Sequence, residues 1–175
     1  MNGGVAVRVL SAHEARARLP ELGDILVDCV EGGASVSFMA PMTCEKATAF
    51  WRGVADGVAA GNRVLLAAED VREQRLLGTV QVVWDMPENQ PHRGDVQKML
   101  VLGAARRRGL GAALMQAAED EARRAGKTLL VLDTASAGAE RLYERMGWQR
   151  VGAVPDYALL PHGGFCQTVF FFKKL

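Results

Sequence analysis

The hydrophobic and polar positions switch between a strand period and a helix period along the chain. Val5–Leu10 alternates enough to be a first strand. Ser11, with Glu14 three positions on, forms a capping box, and the helix it opens runs to about Leu19. Proline is tolerated in the first turn of a helix but not in its middle. Pro20 therefore predicts a break at Leu19–Pro20 and a second helical piece over Glu21–Val30. Leu22, Ile25, Leu26 and Cys29 give that piece an apolar face, and Glu31-Gly32-Gly33-Ala34 ends it. Ser35–Met42 is a loop. Its Phe38, Met39 and Met42 are core residues by default, with the wall of a substrate pocket as the other reading. Thr43 caps a helix over Cys44–Ala60, stopped by Gly61-Asn62, with Ala47, Phe50, Trp51, Val54 and Val58 as its buried stripe.

Strands follow at Arg63–Ala68 and Leu76–Trp84, joined by the charged hairpin connection Glu69–Gln74. Asp85–Gly94, with Pro87, Asn89, Pro91 and Gly94, is a loop. The next strand is Val96–Leu102, an apolar run interrupted by Gln97 and Lys98. A turn from Gly103 to Gly111 feeds a helix on which Leu110, Ala113, Leu114, Ala117, Ala118, Ala122 and Ala125 share one face, and Gly126 closes it. Lys127–Asp133 is a further apolar strand, so strand, helix and strand make a βαβ unit whose strands run parallel. Gly138–Met146 is a short helix ended by Gly147. Gln149–Val154 and Gln167–Phe172 are the last strands, with Pro155–Phe165 as the loop between them. No repeat or linker interrupts the pattern, and residues 1–175 read as a single α/β domain with a mixed sheet.

Composition narrows the function classes. At 175 residues and 49% hydrophobic the chain can build a proper core. Its 21 basic and 20 acidic side chains leave a net charge of +1, which points to neither bulk nucleic-acid binding nor a membrane surface. No apolar run is long enough to span a bilayer, and the first ten residues lack a signal-peptide layout. Cys29, Cys44 and Cys166 are odd in number and widely spaced, which argues against a disulfide framework and for a reducing cytoplasm. His13, His92 and His162 show no metal-ligand spacing with each other or with the cysteines, so no metal is expected.

Against that balance the Arg106-Arg107-Arg108-Gly109-Leu110-Gly111 turn stands out. The first N–H groups of a helix have no intrahelical acceptor, and the helix dipole adds partial positive charge there. Glycines let a ligand approach the backbone, and arginines supply fork-shaped donors suited to phosphate oxygens. The turn thus reads as a pyrophosphate site, with an ordinary solvated turn as the alternative. Neither a P-loop nor a dinucleotide fingerprint is present.

Arg106-x-x-Gly109-x-Gly111, placed after a strand and opening a helix, resembles the R/Q-x-x-G-x-G/A signature of the GNAT N-acetyltransferases. One strand later, Ala139-Glu140-Arg141-Leu142-Tyr143-Glu144-Arg145-Met146-Gly147-Trp148 resembles that family's A-x-x-[FL]-Y-x-x-x-G-[FW] segment. Within the family, Gly33-Ala34-Ser35-Val36-Ser37-Phe38-Met39, Val96-Gln97-Lys98 and Leu132-Asp133-Thr134 are similar to the acetyltransferases of tabtoxin resistance. The resemblance implies a mixed, mostly antiparallel sheet flanked by helices, with a central parallel strand pair splayed to hold acetyl-coenzyme A. It implies that backbone groups of Met99, Leu100 and Val101 meet the pantetheine arm. It also implies that Arg106, Arg107, Arg108, Gly109, Leu110, Gly111 and Ala112 surround the pyrophosphate, and that Tyr143 sits near the thioester sulfur. Two departures are visible: Arg107 stands where glycine is common, and Ser136-Ala137 stands where many members carry an asparagine.

Acetyl transfer to an amine requires an acid for the departing thiolate and a group that takes or anchors the amine's proton. A phenol is protonated at neutral pH, so Tyr143 is the candidate acid. Asp95, which on unbroken alternation shares a face with Gln97, Met99 and Val101, and Asp133, at the end of the neighbouring strand, are the candidate carboxylates. A backbone N–H near Met99–Leu100 suits the oxyanion. The expectation is a cytoplasmic N-acetyltransferase of small amines: amino acids, polyamines, antibiotics or toxins. Protein N-terminal or lysine acetylation and a non-catalytic acyl-coenzyme A sensor are the alternatives, and a homodimer is the one protein partnership left open.

Overall fold

The computed structural model describes residues 4–175. Seven strands form one sheet in the order β1-β2-β3-β4-β5-β7-β6. They are β1 (Val5–Leu10), β2 (Arg63–Asp70), β3 (Arg75–Val83), β4 (Arg93–Val101), β5 (Leu129–Thr134), β6 (Gln149–Leu159) and β7 (Phe165–Lys174). Every neighbouring pair is antiparallel except β4–β5, which is parallel.

Helices cover both faces. On one side lie α1 (Ala12–Ala17), α2 (Leu19–Glu31) and α3 (Cys44–Ala59); on the other lie α4 (Leu110–Arg124) and α5 (Ala137–Arg145). The capping box at Ser11 forms as the sequence predicts, and Pro20 sits in the first turn of α2, where its missing N–H costs nothing. Leu22, Ile25, Leu26 and Trp51 are fully buried against Leu10, Leu65 and Ala67 of the sheet. The opposite core packs Leu114, Met115, Ala118 and Ala122 of α4 against Leu66, Val80, Val82, Val96 and Leu130. Each face of a strand thus answers to a different helix layer, as the two-residue period of a strand requires.

The break between the first two helices falls at Arg18, so α2 begins at Leu19 and not at Glu21, and three further elements depart from the pattern read in the sequence. β4 begins at Arg93, inside the expected loop, because Arg93, Gly94 and Asp95 pair with Leu129, Leu130 and Val131 of β5. β6 continues through Pro155 to Leu159, inside the expected loop Pro155–Phe165. It is the edge strand, where proline removes no ladder bond, and its register with β7 shifts between Val154 and Ala158 to absorb the extra residues. On α4, Ala113 and Ala125 face solvent while Met115 and Glu119 are buried.

Glu119 is the one buried carboxylate among the described residues. It accepts from the Trp148 indole at 2.9 Å and from Lys173 Nζ at 2.7 Å, while Lys173 also donates to the Met146 carbonyl at 2.6 Å. These bonds tie α4, the end of α5 and β7 into one block, and they satisfy a charge that would be costly to bury alone.

Candidate active site

The parallel pair β4–β5 is joined at only three positions, ending at Asp95 opposite Val131. Beyond that point the strands part, and a cleft of about 970 Å³ opens between them. Val96–Val101 of β4 and Leu132–Thr134 of β5 form its walls. Ser35–Met39, Arg106, Tyr143, Tyr157, Cys166 and Thr168 add to them. The loop after α2 is therefore split in role: Met42 is core, as the default reading has it, but Ser35–Met39 line the cleft.

A bulge decides what β4 presents. Thr79 pairs with Leu100 and Gln81 with Gln97, so β4 carries one more residue than β3 across this step. Lys98 holds the left-handed backbone conformation, φ +52°, that accommodates it. The buried Thr79 hydroxyl donates to the Lys98 carbonyl at 3.1 Å and holds the kink. The face parity inverts there. Val96 packs with the α4 layer, Lys98 turns to the α3 side, Met99 returns to the α4 layer and Leu100 to the α1–α3 layer. Unbroken alternation would set Asp95 on the face of Met99 and Val101; the bulge sets it on the opposite one.

Leu102 donates to the Leu77 carbonyl, so alternation directs the N–H groups of Met99 and Val101 into the gap and that of Leu100 toward β3. Of the three predicted backbone contacts, Met99 and Val101 face the cleft. The Val101 carbonyl accepts from Arg106 Nε at 3.1 Å, so that guanidinium is folded back onto the strand end beside Cys29.

A short 3-10 turn, Gly103–Ala105, leads from β4 to the arginines. Gly109 caps α4 with φ +81°, a conformation that suits glycine. Arg107 adopts φ +61° without being glycine, so the departure noted in the sequence carries a backbone cost. The N–H groups of Arg107, Arg108, Gly109, Leu110, Gly111 and Ala112 have no backbone acceptor among the described residues; the first bond of the helix is Ala113 to the Gly109 carbonyl. Gly111 has no room to spare: a Cβ there would lie 3.0 Å from Leu142 and 3.7 Å from the Met99 sulfur. Arg107 and Arg108 are exposed and make no ion pair among the described residues.

Tyr143 is 5% exposed and lines the cleft. Its ring packs edge-on to Phe171 at 5.8 Å and tilted to Trp148 at 6.0 Å. The hydroxyl has no protein partner among the described residues. Burial, with Asp133 adding to it, pushes the phenol's pKa above the ordinary tyrosine value, so the group stays protonated. Asp133 lines the cleft and accepts from the buried Thr168 hydroxyl at 2.6 Å. Asp95 lies at the closed end of the strand pair, outside the cleft lining, with its carboxylate 2.9 Å from Arg93. Burial chiefly, and the charge of Asp133, raise its pKa above the usual aspartate value, while Arg93 opposes them.

A profile described as the acetyltransferase (GNAT) family matches residues 36–148, nearly two thirds of the chain. The chain belongs to the GNAT acetyltransferase family. Solved structures agree at the level of fold. The yncA protein of Salmonella typhimurium, solved with its cofactor acetyl-CoA, superposes with a TM-score of 0.80 at 18% identity, over 99% of this chain and 95% of that one. A GCN5-related N-acetyltransferase from Kribbella flavida gives 0.78 at 22% identity with both chains fully covered. A ribosomal-protein-alanine N-acetyltransferase from Brucella melitensis gives 0.79 at 22% identity, over 97% and 99%.

Several residues of this GNAT site escaped the sequence reading. Thr168 and Thr79 are single hydroxyls in apolar strands, with no spacing to mark them. Lys98 did leave a trace: together with Gln97 it interrupts the apolar run of β4, and a polar pair out of alternation is what a bulge produces. Its ammonium lies 3.2 Å from Ser37 Oγ and over the rings of Phe38 and Phe50, at 5.9 and 5.7 Å. Burial lowers its pKa below the usual lysine value, and Asp133 draws it back up.

Proposed function

We propose that this GNAT protein transfers an acetyl group from acetyl-CoA to the primary amine of a small molecule. The observation that carries the reading is the conjunction of two features: a parallel pair that parts after three residues to open the cleft, and, past the far end of β4, a run of amides without backbone acceptors at the start of α4. The residues fit such a cofactor. The αL Gly109, with open space around it, leaves backbone accessible to a diphosphate, Gly111 lets α4 pack closely on Leu142 and Met99, and Arg107 and Arg108 are available as side-chain donors. Met99 and Val101 offer strand-edge groups to an amide-bearing arm.

When bound, the cofactor would supply an acyl thioester, the carbon–nitrogen bond to the amine forming as the carbon–sulfur bond is given up. Asp133 receives the proton of the incoming ammonium, directly or through water, or anchors that ammonium; Thr168 fixes its orientation. The Met99 N–H, directed into the gap, holds the charge that develops on the acyl oxygen. Tyr143 gives its proton to the departing thiolate and regains one as the acylated nitrogen sheds its second proton, directly or through solvent. Asp95, at the closed end of the pair and outside the cleft lining, is left out of the transfer itself. The similarity of Gly33–Met39, Val96–Lys98 and Leu132–Thr134 to tabtoxin-resistance acetyltransferases supports an antibiotic or toxin acceptor, and the three free, widely spaced cysteines support the cytoplasm as the place of action. Second-copy association is also part of the proposal: edge strand β6 leaves Val151, Val154, Tyr157 and Leu159 exposed.

The test is thiol release from acetyl-CoA over a panel of small amines, protein N-terminal peptides and lysine peptides. Turnover with small amines supports the proposal; turnover with peptides alone moves the chain to protein acetylation. Acetyl-CoA binding without turnover on any acceptor makes it a sensor.

A further inference from the structure

The charged side chains among the cleft's lining residues are Lys98, Arg106 and Asp133. Arg106 is engaged with the end of β4. That leaves a cation and an anion on opposite walls: Lys98 on β4 and Asp133 on β5. They form no ion pair with each other. Elsewhere in the fold, half-buried cations meet carboxylates: Arg8 and Arg18 on Glu69, Arg93 on Asp95, Lys173 on Glu119. Lys98 has no carboxylate within ion-pair distance among the described residues. Its neighbours are one hydroxyl and two aromatic rings, which fix the ammonium without neutralising it. The fold also departs from regular strand geometry to put it there. Without the extra residue in β4, Lys98 would share the Val96 face, against α4.

We infer that Lys98 is the counter-ion for an anionic group of the acceptor, so that the substrate carries a carboxylate as well as its primary amine, as amino acids and short peptides do. The inference rests on the proposed acetyl transfer and specifies its acceptor. Asp133 takes the ammonium end and Lys98 the carboxylate end, and a neutral or purely cationic amine leaves the lysine unpaired. The phosphates of the cofactor do not need this residue, because the free amides and arginines at the start of α4 lie beyond the far end of β4.

The experiment pairs each L-amino acid or dipeptide in a thiol-release panel with its C-terminal amide, using the full chain and acetyl-CoA. The wild-type protein is expected to favour the acids in kcat/KM. Lys98→Met is expected to lower the acid-to-amide ratio by about 10- to 100-fold, mainly through KM for the acid; that is the range of a charge-assisted hydrogen bond. Lys98→Arg should keep the ratio within about threefold of wild type. Taking the ratio between variants cancels the difference in amine pKa between acid and amide. Equal use of acids and amides by the wild-type protein overturns the inference without requiring any variant to fold. A ratio unchanged in Lys98→Met, or a change confined to acetyl-CoA affinity, also overturns it while leaving acetyl transfer standing. Absence of turnover on every amine removes the proposed function and this inference together.

Discussion

Replacing Tyr143 by phenylalanine separates chemistry from folding more cleanly than any other change in this site. The ring is 5% exposed and packs on Phe171 and Trp148, and phenylalanine keeps those contacts. The hydroxyl has no protein partner among the described residues, so its removal orphans no hydrogen-bonding group. The expected stability change is about 0.5 kcal/mol or less, or about 1–2 °C in Tm for a chain of this size. Loss of a positioned acid should lower kcat about 10²- to 10³-fold, or about 3–4 kcal/mol of barrier. Because burial raises the phenol's pKa, the wild-type rate should show no loss from this group between about pH 7 and 9.5. The measurements are a thermal melt, acetyl-CoA titration calorimetry and thiol release at saturating amine. A variant that melts and binds like wild type and turns over within about threefold of it would remove Tyr143 from the mechanism.

Asn substitutions should sort the two carboxylates: Asp133→Asn should lower kcat at least about tenfold more than Asp95→Asn. Asp95 titrates above the usual aspartate range, so any rate it supports falls as pH drops through that raised value, and Asp95→Asn should flatten that part of the pH–rate profile. Gly109→Val forces a β-branched residue to φ +81° at the cap of α4; acetyl-CoA affinity should fall at least about tenfold, read by calorimetry, with the rest of the fold intact by circular dichroism. Glu119→Gln leaves Lys173 without its counter-charge and should cost about 3 kcal/mol, or roughly 6–12 °C in Tm, in a melting experiment. Arg8 and Arg18 hold Glu69 below its ordinary pKa of 4.5, chiefly by hydrogen bonding from Arg8. Its contribution is therefore present above that value and lost as pH falls through the lowered one, and Glu69→Gln should reduce the acid slope of urea-unfolding free energy between about pH 5 and 3.

Most of the fold was legible because its signals are local. Ser11 with Glu14, Pro20, Thr43 and Gly126 mark helix ends through bonds made within a few residues, and the structure places the ends beside them. What escaped depends on pairing at a distance. Arg93–Asp95 became strand because β5 lies alongside, and Pro155–Leu159 because β7 does. The same distinction runs through the candidate site. The Arg106–Gly111 turn and Tyr143 sit in contiguous motifs and were found from spacing. The split between Asp95 and Asp133, and the place of Lys98, hang on a bulge that only the register of β3 against β4 reveals.

That single inserted position gives one strand two independent readers. On the proposed reading, side chains upstream of it meet the acceptor and the backbone edge downstream meets the carrier. If so, substitutions at Gln97 or Lys98 retune which amine is admitted without disturbing the grip on the acyl donor. Slippage of the strand by one residue would exchange the two tasks at once. On the same reading Thr79, which pins the kink from the neighbouring strand, guards selectivity although its hydroxyl is closed off from solvent.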